Sequence, residues 1–204
     1  MLDLDPGLAL PQVFFQRPAP VVARELLGSL LVAQVDGQTV AVRVQETEAY
    51  HQQERGCHCY GGRQTPRTAP MFQAGGLTYV YFVYGMHWAL NFVTGQAGCG
   101  EAVLIRGAQV EVGGELVAAR RGFAPAGQRP RPASARRWLD GPGKLCQGLG
   151  IERRHNQLRL DGSAGIWCQS FEVVGDSDVE VLPRVGIAYA GEDASLPWRW
   201  RSRA

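Results

Sequence analysis

The chain has 204 residues, of which 45% are hydrophobic and 20% are charged, and its formal net charge at pH 7 is +2. A chain of this length and composition buries a sizeable core without help, and its net charge is too small to argue for a nucleic-acid partner on charge alone. The sequence shows no internal repeat, low-complexity segment or clear domain boundary. We therefore predict a single domain over residues 1–204.

The first predicted elements are a helix and a hairpin. Residues 19–31, "APVVARELLGSLL", have apolar side chains at helical spacing, and Gly28 stands where such a helix ends. "SLLVAQV" and "TVAVRVQETEAY" then flank Asp36 and Gly37, a pair that favours a two-residue turn between antiparallel strands. A short helix followed by a β-hairpin is the expected start of the fold.

The uncharged stretch between Arg67 and Glu101 is predicted to be a buried hairpin. It is long enough for a membrane span, but glycines and polar residues interrupt it, whereas a span needs about 20 mostly apolar residues. "LTYVYFVYGMHWALNFV" predicts two strands around a turn at Tyr84 to His87, and "EAVLIRGAQV" predicts another strand. Because the stretch is interrupted and predicted to form strands, we expect no membrane association.

The second half is predicted to mix helices with further strands. "GELVAARRG" and "ASARRWL" favour helices on either side of a Pro/Gly-rich loop. "DGPGKLCQGLGI" predicts a short helix whose free N–H groups and Lys144 suit an anion. "FEVVG", "VEVLPRVGIAYAG" and "PWRWRSRA" indicate a β-rich remainder. The expected fold class is α+β (mixed α/β).

The end of the second strand carries carboxylates where an apolar face should continue. A period of two places Glu46, Glu48 and Tyr50 on the face of the alternating valines that precede them, unless a bulge intervenes. Burying a charge there is costly without partners, so inward carboxylates suggest a pocket. Because Glu46 and Glu48 lie about 7 Å apart and share a direction, they do not suit the paired carboxylates of a sugar hydrolase. One functional glutamate with a structural partner fits better, and Glu48 is the better placed.

The segment Cys57, His58 and Cys59 suggests a zinc site. However, no spaced second pair of ligands accompanies these residues, so we predict no metal.

Five cysteines and an acidic N-terminus, "MLDLDPGLAL", are atypical of a secreted protein. We expect a reduced, cytoplasmic protein, associated with the nucleoid if its source is bacterial.

Two groups of arginines have two explanations from sequence alone. They attract phosphate, or they form a solvated helix face and a frayed C-terminal tail. The arginines are Arg120, Arg121, Arg129, Arg131, Arg136 and Arg137, with Arg199, Arg201 and Arg203 at the C-terminus.

Tyrosines near a turn are more often core residues than ligand platforms. However, aromatic platforms, a projecting wedge and basic loops are what a base-extruding enzyme needs.

Several motifs in order resemble one known family. "ETEAY", His58, "GGRQTPR", "MF", "YVYFVYGMHWALN", "VLIR" and "GPGKLCQ" resemble the alkyladenine (3-methyladenine) DNA glycosylases, and the resemblance runs from about Ala23 to "RVGIAYAGE". It implies a curved, largely antiparallel sheet with flanking helices and a protruding hairpin. It also implies a monomeric, cofactor-free and monofunctional enzyme of base excision repair. Its substrate would be double-stranded DNA containing alkylated or deaminated purines: 3-methyladenine, 7-methylguanine, and as further candidates hypoxanthine and ethenoadenine.

The resemblance also implies roles for individual residues. Glu48 would activate the attacking water, and Arg106 would help to position it. The damaged base would stack between Tyr50 and a wall made by His58 and Tyr81. The remaining implied roles are exclusion of guanine by Asn91, intercalation by Tyr84, and phosphate contacts by Arg63, Thr65 and Lys144.

Two alternatives remain open from sequence. A bifunctional glycosylase/lyase would use the amine of Lys144 as a nucleophile through a Schiff base. A non-catalytic DNA-damage binding module would keep Glu46 and Glu48 only as structural residues. Turnover and covalent trapping distinguish these alternatives from the hydrolytic enzyme.

Overall fold

The computed structural model describes residues 2–83, 85–123 and 138–203. Tyr84 and most of the predicted helix "ASARRWL" lie outside the described residues, as do Arg129, Arg131, Arg136 and Arg137. The helices are α1 (Gln12–Phe15), α2 (Ala19–Glu25), α3 (Gly114–Arg120) and α4 (Pro142–Leu149). The strands are β1 (Leu30–Val35), β2 (Gln38–His51), β3 (Thr78–Val83), β4 (His87–Val93), β5 (Glu101–Val112), β6 (Ile166–Gln169), β7 (Val179–Leu182) and β8 (Arg199–Ser202).

Within the described ranges, eight strands form one curled antiparallel sheet, which confirms the predicted α+β class. The order is β3-β4-β5-β2-β1-β6, and β8 joins β2 while β7 joins β8. Strand β2 changes partner along one edge, because β1 pairs with its first half and β8 pairs with Glu46–Glu48. Two long strands, β2 and β5, therefore run through the centre of the fold.

The predicted hairpin between β1 and β2 is confirmed. Asp36 and Gly37 have φ values of 52° and 73°, as a two-residue turn of the primed type requires. This turn fixes the pairing of Leu30 with Arg43 and of Val35 with Gln38. Register in this part of the sheet thus follows from local sequence.

The expected continuation of one face from Val44 to Glu48 is wrong, because a bulge intervenes. The pairing of β2 with β5 shifts register between Val44 and Glu46 and again before Thr47. After the bulge Ala49 joins the core that contains Val44, and Thr47 donates a hydrogen bond to the Ala23 carbonyl of α2. Glu48 therefore points to the opposite face from the valines, away from the main core.

The main core lies between the sheet and helices α2, α3 and α4. Its centre contains Leu26, Phe92, Ile105 and Leu145, all fully buried. A smaller cluster around Trp167 covers the other face of the sheet near β1 and β6. Helices on one face leave the opposite face of β2 to β5 open for the cavity described below.

The second half departs from the predicted strands in three places. Strand β6 was not predicted, "FEVVG" forms no strand, and "AYAG" belongs to a 3-10 segment at Ala188–Ser195. The C-terminal arginines do not form a frayed tail, because they lie on or beside β8. There Arg199 pairs with Glu46, and Arg201 pairs with Glu180.

None of the described helices is long and apolar enough to cross a membrane.

Candidate active site

A cavity of about 740 Å³ opens on the face of the sheet that carries Glu48. Side-chain alternation selects its wall: on β3 Val80 faces the core while Tyr79 and Tyr81 face the cavity, and on β4 Phe92 faces the core while Asn91 faces the cavity. Its lining includes the six residues predicted for catalysis and base binding: Glu48, Tyr50, His58, Tyr81, Asn91 and Arg106.

Strand pairing explains why distant residues meet in this cavity. Across the sheet, Tyr79 is paired with Asn91, Asn91 with Leu104, and Leu104 with Glu48. Tyr50 and Arg106 each lie two residues from this row and on the same side. The row depends on the bulge in β2, because a slip of one residue would turn Glu48 into the core.

Glu48 has a fully buried carboxylate held at both oxygens. Val185 donates its backbone N–H to Oε1 at 2.9 Å, and the Tyr50 hydroxyl donates to Oε2 at 2.7 Å. Arg106 Nε lies 3.6 Å from Oε1. Burial raises the pKa of Glu48 above its ordinary value, although the charge of Arg106 and the two donors oppose this effect. The carboxylate is therefore a stronger base than a solvated glutamate.

Glu46 anchors the arginine that faces Glu48. Its Oε1 lies 3.1 Å from Nε of Arg106 and accepts a hydrogen bond of 2.9 Å from Arg199. Glu46 therefore pairs with two arginines. Because Arg106 lies closer to Glu46 than to Glu48, Glu46 holds the guanidinium at the edge of the Glu48 carboxylate.

One wall of the cavity is aromatic. The rings of His58 and Tyr81 meet edge to face with centroids 4.5 Å apart, and Nδ1 of His58 lies within 3.1 Å of the Tyr79 hydroxyl. Burial, and then the charge of Arg67, lower the pKa of His58 to about 4. His58 is therefore neutral at pH 7 and adds no charge to the cavity.

The "CHC" segment places its cysteines behind His58. Cys57 and Cys59 are buried, with their sulfur atoms 3.2 Å apart. A different group, His51, Cys99 and Glu101, has donor atoms within 4.8 Å of one another. However, Nδ1 of His51 accepts the N–H of Gln53, so Nε2 carries the proton and faces the Cys99 sulfur at 3.4 Å. A histidine that binds a metal through Nε2 normally donates from Nδ1, so this arrangement favours a hydrogen-bonded cluster.

The hairpin of β3 and β4 ends beside the cavity. Phe82 and Met86 are 48% and 68% exposed there, and the Phe82 ring packs against Trp88. Tyr84, predicted to intercalate, follows Val83 in the sequence and lies outside the described residues. Apolar side chains at an exposed tip suit insertion between base pairs.

The predicted phosphate contacts lie at two places. Arg63 is exposed on the loop after Gly61 and Gly62, whose positive φ values suit glycine, and the Thr65 hydroxyl pairs with that of Thr68. Lys144 lines the cavity near the start of α4 and pairs with Asp140. The structure thus brings Lys144, but not Arg63 or Thr65, into the cavity lining.

Four residues in or behind the cavity wall contact the predicted site residues or lie beside them, and none of the four was assigned a role from the sequence. Arg67 and Tyr79 line it, and Val185 supplies the N–H that binds Glu48. Arg184 lies fully buried behind Tyr50. The quoted motifs "GGRQTPR", "YVYFVYGMHWALN" and "RVGIAYAGE" contain these residues and were the available signal, but a motif does not show which side chains face inward.

Comparisons with known proteins show the family of the chain. The family model described as "Methylpurine-DNA glycosylase (MPG)" matches residues 13–204. Proteins named "Putative 3-methyladenine DNA glycosylase" are similar to the chain. The one from Desulfitobacterium hafniense is 40% identical, covering 94% of this chain and 93% of its own. The one from Myxococcus xanthus is 41% identical, with coverage of 93% and 88%. The chain therefore belongs to the methylpurine-DNA glycosylase family and is a DNA glycosylase, a hydrolase that cleaves N-glycosidic bonds.

Proposed function

We propose that this enzyme flips alkylated or deaminated purines out of duplex DNA and hydrolyses their glycosidic bond with a water that Glu48 activates. The observation that carries the proposal is the fully buried Glu48 carboxylate, held at both oxygens on the wall of an aromatic-lined cavity. The named relatives support 3-methyladenine as a substrate. We add 7-methylguanine, hypoxanthine and ethenoadenine to the proposed range.

The chemistry follows from the lone pairs that Glu48 keeps. A carboxylate has about four acceptor sites, and the N–H of Val185 and the hydroxyl of Tyr50 use one on each oxygen. A remaining site would accept a hydrogen bond from the attacking water, and Arg106 beside Oε1 would help to orient that water. As the base departs, Glu48 takes the proton from the water, and its negative charge favours the oxocarbenium-like sugar.

Base selection is assigned to the aromatic wall and to Asn91. Tyr50 would stack on one face of the base, and His58 with Tyr81 on the other. Cation–π attraction of about 0.5 to 2 kcal/mol would favour alkylated purines that carry positive charge. The Asn91 amide donates a 3.0 Å hydrogen bond to the Tyr79 carbonyl, which fixes the side chain that would crowd the amino group of guanine.

DNA binding is assigned to the hairpin tip and the basic loops. Tyr84 would fill the gap left by the flipped base, while Arg63, Thr65 and Lys144 would contact phosphates. These contacts need one copy of the chain, so we propose that a monomer with a single domain over residues 1–204 is the active form.

The deciding experiment compares Glu48→Gln with the native enzyme on duplexes that each contain one defined lesion, with free base as the readout. We expect Glu48→Gln to abolish release while DNA binding is retained, because glutamine does not accept the proton. Glu111→Gln is the matched control, since Glu111 pairs with Arg43 outside the cavity lining. Full release by Glu48→Gln would refute the proposal.

The lyase alternative depends on Lys144. Its amine pairs with Asp140, and an ammonium held by a carboxylate is a poor nucleophile. Borohydride reduction during turnover should therefore trap no covalent adduct with DNA. A trapped adduct that Lys144→Gln abolishes would establish the bifunctional mechanism instead.

A further inference from the structure

Arg184 has a fully buried side chain directly behind the cavity wall. Its guanidinium carbon lies 4.8 Å from the centroid of the Tyr50 ring and 5.3 Å from that of Trp198. A buried charge is costly, and within the described structure its Nε atom has no hydrogen-bond partner. A side chain kept at this cost invites a functional explanation.

The guanidinium connects three segments of the chain. Nη1 and Nη2 donate to the two carboxylate oxygens of Glu54 at 2.6 Å and 2.8 Å. Nη1 also donates to the carbonyl of Ala49, the residue between Glu48 and Tyr50, and Nη2 to the carbonyl of Asp193. The fork of Arg184 thus fixes β2, the loop after β2 and the C-terminal segment relative to one another.

The two donors that hold Glu48 both depend on groups that Arg184 contacts. Val185, the next residue in the chain, donates its N–H to Oε1 of Glu48. Tyr50, whose ring lies against the guanidinium, donates its hydroxyl to Oε2. A displacement of Arg184 would therefore disturb the hydrogen bonds to both oxygens of the Glu48 carboxylate.

The same ion pair reaches the loop that carries His58. Oε2 of Glu54 accepts the N–H of Gly56 at 2.7 Å, and Gly56 lines the cavity two residues before His58. Tyr50 and His58, the residues proposed to sandwich the base, are both linked to one buried arginine.

We infer that Arg184 is a positioning residue, which with Glu54 fixes the orientation of the Glu48 carboxylate and of the Tyr50 ring for excision. This role rests on the proposed function, in which Glu48 is the base and Tyr50 stacks on the purine. A purely structural ion pair would affect folding stability and leave the chemical step unchanged, so the two roles have different kinetic signatures.

The test uses Arg184→Met combined with Glu54→Met, which removes both charges and leaves neither partner buried alone. Folding is checked by a cooperative thermal transition, and single-turnover release of 7-methylguanine is measured against pH. We expect the maximal rate to fall at least tenfold and the acid limb to move to higher pH, because both donors to Glu48 loosen. The DNA concentration for half-maximal rate should change less than threefold.

Arg43→Met with Glu111→Met is the matched control, because that pair is also largely buried but lies outside the cavity lining, and its release kinetics should equal those of the native enzyme. A folded Arg184 and Glu54 double variant with native rate and native acid limb overturns the inference. If the double variant does not fold, Arg184→Lys decides, because lysine keeps the charge and loses the fork: a native rate and acid limb would again overturn it. A native enzyme that releases no base refutes the proposed function, and this role with it.

Discussion

Tyr50→Phe separates the two roles proposed for Tyr50, because phenylalanine keeps the ring and loses the hydroxyl. That hydroxyl donates a 2.7 Å hydrogen bond to Oε2 of the buried Glu48 carboxylate. Burial, and then the neighbouring Glu48, raise the pKa of Tyr50 well above its ordinary value, so it remains a donor across the neutral range. A hydrogen bond to a charged group contributes about 1.5 to 3 kcal/mol. Its loss favours protonation of Glu48 by about 10- to 150-fold.

The expected result is an acid limb displaced to higher pH, with a plateau rate close to that of the native enzyme. Single-turnover release of 7-methylguanine is the suitable assay, because this base carries a positive charge and leaves without being protonated. The acid limb of the pH profile then reports only the ionisation of the carboxylate that accepts the proton from water. Tyr79→Phe is the matched control, since the Tyr79 hydroxyl pairs with His58 and should leave the limb in place. Superimposable profiles for Tyr50→Phe and the native enzyme would refute the assignment of Glu48 as the base.

Three further predictions concern stability and specificity. The pKa of Glu48 is raised in the folded state, so the folded protein holds this proton more tightly than the unfolded chain does. The free energy of unfolding therefore falls as the pH rises through the folded pKa of Glu48, and it recovers at lower pH when Glu48 is protonated. Glu48→Gln should therefore raise the melting temperature at pH 7, and the difference should shrink in acid; a lower melting temperature at pH 7 would contradict this. Asn91→Ala should increase the release of guanine from undamaged DNA. A guanine yield equal to that of the native enzyme would contradict this prediction. Gly75→Ala would place a Cβ 2.2 Å from the Phe15 carbonyl oxygen and should destabilise the fold by about 1 to 3 kcal/mol in a denaturant titration, whereas Gly175→Ala, with ordinary contacts, should not.

The proposed function sets catalysis against stability at this site. Glu48 and Arg184 are fully buried charged side chains, and the partners of each come from more than one segment of the chain. Replacing such charges with neutral groups often leaves a fold equally or more stable. Their presence beside the cavity is consistent with selection for chemistry. The pH profiles described above measure that chemistry as the rate of base release.

Local sequence determined much of the fold. Asp36 and Gly37 specify the β1–β2 turn because they tolerate positive φ, and alternation in β3 and β4 separates Tyr79 and Tyr81 from Val80. The hairpin, the long strands and α4 were predictable for this reason. Strand β6 was not, because four residues carry too little periodicity to stand out.

The tertiary structure decided the rest of the site. The motifs selected Glu48, Tyr50 and Arg106 as candidates, but only the bulge in β2 turns Glu48 from the core towards the cavity. The contacts of Arg184 with Glu54 and Tyr50 join residues about 130 positions apart, and no local pattern encodes such a contact. Sequence by itself therefore selected the residues that we propose to carry the chemistry. Long-range packing decided where their side chains point, because register shifts and buried ion pairs depend on partners that are distant in the chain.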